Sequence, residues 1–94
     1  MTGDSSSPAE EIGILWERRA FKELQALPRT TQQRIVKAID QLRERPMCGK
    51  ALAGDWKGLR RLRVGNYRVI YGFDGRQILI TILRIGHRRE VYRN

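Results

Sequence analysis

The chain has 94 residues, with 19 Lys and Arg against 10 Asp and Glu, a formal charge of +9. That length suits one domain with a small core, and at 40% hydrophobic composition wholesale disorder is not expected. The longest apolar run, Ile78 to Leu83, is interrupted by Thr81 and falls far short of the roughly 18 residues that a membrane span needs.

The first stretch, "MTGDSSSPAEE", has no apolar core segment, so residues 1–11 read as a disordered or added tail rather than a signal peptide. The folded domain is expected over residues 12–94. "IGILWER" (Ile12–Arg18) carries β-prone residues and reads as a first strand. In "RAFKELQALP", Ala20, Phe21, Leu24 and Leu27 make a helical stripe that Pro28 ends. "TTQQRIVKAIDQLRERP" reads as a second helix. Thr30 and Gln33 have the form of a capping box, and Ile35, Ile39 and Leu42 make the apolar face. Arg43 and Arg45 fall in its last turn before Pro46. The short break between the helices predicts an antiparallel hairpin.

"MCGKALAGDWKG" reads as a connection, after which the period changes. "LRRLRV", "YRVIYGF" and "QILITILRI" predict three strands, with hairpin signals at Gly65-Asn66 and Asp74-Gly75. The expected fold is α+β: a small single domain with an N-terminal strand, an α-helical hairpin, then an antiparallel three-strand meander. The helices would cover one face of the sheet. Trp16, Phe21 and the aliphatic strand residues are the expected core.

Charge falls unevenly. Lys22, Lys37, Lys50 and Lys57 are the only lysines, so arginine dominates. Guanidinium groups pair bidentately with phosphate and stack on bases, which points to nucleic acid or an acidic protein partner. Strand alternation puts Arg61 and Arg63 on one face with Leu59, and Arg60 on the other with Leu62 and Val64. It also separates Arg68 from Tyr67, Val69 and Tyr71. The face away from the helices then carries Arg61, Arg63 and Arg68 on neighbouring strands. Like charges opposed across strands are unfavourable unless an anion lies between them. After Asp55 only Asp74 and Glu90 supply negative charge, too little to absorb the cluster.

The chain ends "HRREVYR", His87–Arg93, directly after the last strand. A tyrosine among cations has its phenol pKa lowered from about 10, which makes Tyr92 a candidate general base. His87, the only histidine, is a candidate acid. A base, an acid and an arginine clamp are the parts needed to cleave RNA through its own 2′-hydroxyl. Cys48 is the only cysteine and no His/Cys cluster or dense carboxylate set is visible. Neither a metal nor a cofactor is expected, no disulfide can form within the chain, and a reducing cytoplasm fits.

"GLRRLRVGNYRVIY" (Gly58–Tyr71), "ILITILRIGHRREVY" (Ile78–Tyr92) and the upstream "AFKELQALP" resemble the RelE/ParE toxin superfamily, in its RelE branch. The resemblance runs from about Ile14 to Arg93. It implies a RelE-like fold and the toxin of a type II toxin–antitoxin system. That toxin would cut mRNA in the ribosomal A site without a metal, and a cognate acidic, RelB-like antitoxin would neutralise it. It implies Tyr92 as the base for the 2′-hydroxyl, Arg88 as the group assisting the leaving oxygen, and Arg61 and Arg68 as catalytic-face cations. Arg63, Arg60, His87 and Lys57 would support RNA binding. The sequence departs from the pattern at Leu59, where family members carry lysine, and at His87, for the same reason. The interval from Arg88 to Tyr92 is shorter than in the best-known members, and the chain leaves no room for the helix that follows the tyrosine in some of them.

Two other readings stand beside this one. A ParE-like toxin would share the fold and inhibit DNA gyrase by binding, without needing Tyr92. A non-catalytic RNA-binding module would keep the charge and show salt-sensitive affinity without strand scission.

Overall fold

The computed structural model describes residues 12–87. Arg88 and Tyr92 lie outside the described residues. The order is β1 (Gly13–Trp16), α1 (Arg18–Gln25), α2 (Arg29–Gln41), β2 (Lys50–Ala51), β3 (Arg60–Val64), β4 (Tyr67–Asp74) and β5 (Leu79–His87). The expected α+β domain is present, and its sheet has five strands in the order β1-β5-β4-β3-β2. The meander β3-β4-β5 is antiparallel, and β1 joins it in parallel along β5. The segment read as a plain connection contributes β2, which pairs with Arg60 and Arg61.

The helices supply Ala20, Leu24, Ile35, Ile39 and Leu42 to one core with Val69, Tyr71, Ile80, Ile82 and Ile85 of the sheet. Full burial of such side chains contributes about 1.5–3 kcal/mol each. Phe21, expected in that core, is 47% exposed. It stands at the margin of the α1 stripe and meets Trp16 edge-on at 6.3 Å. Among the described residues no helix is long and apolar enough to cross a membrane.

Local chemistry overrides the sequence signals at three boundaries. The capping box does not form: α2 begins at Arg29, its N-cap is Pro28, and no side chain caps it. Proline presets the entering φ at −57°. Gln32, not Gln33, closes the inter-helix turn by donating from Nε2 to Leu27 O at 2.8 Å. Secondly, the turn from β4 to β5 is longer than an Asp-Gly hairpin. Asp74 Oδ1 accepts from the amides of Arg76 (2.9 Å) and Gln77 (3.3 Å), so Gln77 and Ile78 belong to the turn. Ile78 takes φ 54°, a costly conformation for a β-branched residue. Its turned carbonyl receives the Gly13 N–H at 3.0 Å and so starts the parallel pairing of β1. The third boundary is the end of α2. The chain leaves Gln41 by tightened turns, Arg43 N to Asp40 O and Arg45 N to Leu42 O among them, before Pro46.

Tyr71 anchors the loop that follows. Its ring is fully buried, its hydroxyl donates to Pro46 O at 2.9 Å and accepts from Gly49 N at 2.9 Å. Burial pushes this phenol above its ordinary value, against the Gly49 hydrogen bond and the Arg60 charge, which pull it down. The folded chain therefore keeps the Tyr71 proton at a pH where the unfolded chain releases it. The resulting stability is complete below about pH 10 and is lost as pH rises further. Tyr71→Phe is expected to cost about 1–3 kcal/mol at neutral pH, by stranding the Gly49 N–H and the Pro46 carbonyl. It should also flatten the alkaline slope of urea stability, and an unchanged slope would mean that another group titrates there.

Candidate nucleic-acid interface and catalytic face

The alternation read from β3 and β4 holds. Arg63 lies directly opposite Arg68, and Arg61 lies opposite Ile70. Leu62 opposes Val69 and Val64 opposes Tyr67 on the helix-covered side. Arg61, Arg63 and Arg68 therefore share the face that the helices leave open. Residues opposed across antiparallel strands have Cβ atoms about 4.5–5.5 Å apart, so Arg63 and Arg68 repel each other.

Arg68 is central to this face. It sits between Arg63 on β3 and Gly86 on β5. Gly86 puts no side chain opposite it. Its Nε is buried and has no hydrogen-bond partner among the described residues. A buried guanidinium N–H left unpaired costs more than an ordinary missing bond, and a phosphate oxygen would remove that cost.

The other expected site residues are dispersed. Arg60 belongs to the opposite side: its Nη1 donates to Gly49 O at 2.7 Å and Met47 O at 3.0 Å, holding the α2–β2 loop. Lys57 is exposed just after the short turn Gly54–Trp56, and its amide donates to Gly54 O at 3.1 Å. His87 lies opposite Tyr67 and meets its ring edge-on at 5.9 Å, on the alternation shared with Val69 rather than with Arg68. The structure thus brings together Arg61, Arg63 and Arg68, and leaves Arg60 and His87 out of that group. Tyr71 is a poor candidate base, since both sides of its hydroxyl are engaged and burial favours its protonated form.

One charged pair was not anticipated from the sequence. Arg84 is 8% exposed, and its Nε contacts Glu23 Oε2 of α1 at 3.1 Å. Glu23 Oε1 also accepts the Ile85 N–H at 2.8 Å. A signal existed: an arginine inside the apolar run "ILITILRI" needs a buried partner. Among the described residues no group of three or more His, Cys, Asp and Glu side chains could hold a metal ion.

The family follows from comparison with known proteins. A family model described as the ParE toxin of type II toxin–antitoxin systems (parDE) matches residues 14–92. Toxin RelG of Mycobacterium tuberculosis is 33% identical over 76 residues, covering 79% of this chain and 87% of its own. Toxin RelE of the same organism is 33% identical over 76 residues, covering 79% and 78%. The toxin–antitoxin complex RelBE2 from M. tuberculosis superposes with a TM-score of 0.75 at 29% identity, over 82% of this chain and 98% of the matched one. This chain belongs to the RelE/ParE superfamily of toxins from type II toxin–antitoxin systems.

Proposed function

We propose that this toxin is a ribosome-dependent endoribonuclease that cleaves mRNA in the A site. The supporting observation is the opposed pair Arg63 and Arg68, with an Arg68 Nε that has no hydrogen-bond partner among the described residues, on the strand position opposite Gly86. Such a face is arranged to hold a phosphodiester. The reaction uses the substrate's own nucleophile. Tyr92 takes the 2′-hydroxyl proton, the 2′-oxygen attacks phosphorus, and the bond from phosphorus to the 5′-oxygen breaks. Arg61 and Arg68 stabilise the charge that builds on the phosphoryl oxygens, Arg63 supports them, and Arg88 assists the departing oxygen. The products are a 2′,3′-cyclic phosphate and a free 5′-hydroxyl, and the balance requires no metal. The partner is an acidic, RelB-like antitoxin that lies across the basic surface, and the site of action is the cytoplasm.

A second reading has its own support, since the matching family model describes ParE toxins. It makes the chain an inhibitor of DNA gyrase. Purified programmed ribosomes with end mapping of the mRNA separate the two, run beside a gyrase supercoiling assay. The nuclease reading expects A-site scission with cyclic phosphate ends. Arg68→Ala should lower that cleavage by about 10²–10³-fold. Intact mRNA together with inhibited supercoiling would sink the nuclease reading and establish the other.

A further inference from the structure

β5 changes phase midway. Ile80 and Ile82 face the core, so Thr81 and Leu83 belong to the other side. Leu83 has no opposite number on β4, because Ile82 pairs with Tyr71 while Arg84 pairs with Ile70. Beyond this bulge Ile85 faces the core and Gly86 lies opposite Arg68. Side chains alternate with a period of two, so one inserted residue transfers the arginine face from odd to even positions. Without it, Ile85 would lie opposite Arg68. With it, Gly86 does.

The neighbouring strand does not hold this phase. β1 ends at Trp16 opposite Ile82, and Glu17 N makes its bond to Ile82 O at 3.0 Å. The β5 edge beyond is met by a side chain of α1. Glu23 takes the Ile85 N–H with one oxygen and Arg84 Nε with the other, at 2.8 and 3.1 Å. The two residues that follow Leu83 are thereby tied to one carboxylate. A buried ion pair is a weak source of stability, because desolvation offsets the attraction, but fixing register is a role such pairs do perform.

We propose that Glu23 and Arg84 are positioning residues that hold the bulged phase of β5, so that Gly86, and not the Ile85 side chain, lies opposite Arg68 on the arginine face. This rests on the nuclease reading. The test compares wild type, Glu23→Ala and Glu23→Gln by kcat and KM on programmed ribosomes, and by amide hydrogen exchange. Ile35→Val, a loss of core volume in α2, serves as a merely destabilising control. In Glu23→Ala, kcat should fall at least about tenfold with KM within about twofold of wild type. The Ile85 and His87 amides should exchange at least about tenfold faster, with Ile80 unchanged. Glu23→Gln keeps an oxygen for the Ile85 N–H and should recover most of both, and the control should keep wild-type kcat. A folded Glu23→Ala with wild-type kcat, unchanged exchange at Ile85, or an equal kcat loss in Ile35→Val would each overturn the proposal. If wild type itself does not cleave, the nuclease reading fails and exchange alone judges the clamp: faster exchange at Ile85 and His87 supports it, and unchanged exchange sinks it.

Discussion

Tyr92→Phe is expected to reduce mRNA cleavage on programmed ribosomes by about 10²–10⁴-fold while leaving the thermal unfolding midpoint unchanged. The substitution removes one oxygen and the only proton-accepting group that the reading assigns to the 2′-hydroxyl. The described tyrosines offer no substitute. Tyr71 is sealed under the Pro46–Gly49 loop, and Tyr67 pairs with His87 on the other alternation of the sheet. If Tyr92 is the base, kcat falls and the affinity for ribosomes is retained, since the arginine face still binds phosphate. A variant that cleaves at the wild-type rate would transfer the role elsewhere. One that loses ribosome binding as well would make Tyr92 a contact rather than a base.

The largest expected loss of stability is at a glycine. A Cβ on Gly49 would lie 2.6 Å from the Tyr71 hydroxyl oxygen, 2.7 Å from its Cε1 and 2.9 Å from the Arg61 carbonyl oxygen. None of these atoms is the loose end of a flexible side chain: the ring is 0% exposed and the carbonyl belongs to β3. The same substitution moves the Gly49 N–H that Tyr71 accepts and the carbonyl that Arg60 holds. Gly49→Ala is expected to cost about 2–4 kcal/mol, combining overpacking with strained hydrogen bonds. In a domain of this size that lowers Tm by roughly 10–25 °C. Removing the hydroxyl in the double variant with Tyr71→Phe relieves the closest contact but not the one to Cε1, so rescue should be partial. A cost under about 0.5 kcal/mol, typical of an unremarkable surface change, would show that the loop yields freely.

Much of the molecule was legible before folding. The period of two in "LRRLRV" and "YRVIYGF" placed Arg61, Arg63 and Arg68 on one face, and the register Arg63 opposite Arg68 agrees. Helical spacing found Ala20 and Leu24 in α1 and Ile35, Ile39 and Leu42 in and just beyond α2, all of them buried. Phe21 lay at the margin of its stripe, where spacing alone does not separate core from rim. The capping signal at Thr30 failed because Pro28 already set the entry angle, and local motifs compete for the same few backbone groups.

What the sequence determined by itself was the periodic part: α+β order, the helix-covered side of the meander and the sign of the open face. Those follow from local repeats that survive whatever packs on them. Tertiary structure decided the rest. The parallel pairing of β1 on β5, the bulge at Leu83 and the hold of Glu23 on Arg84 and Ile85 join residues distant in the chain. No local pattern encodes an inserted residue or a bare strand edge, because both exist only once neighbouring strands have set a register.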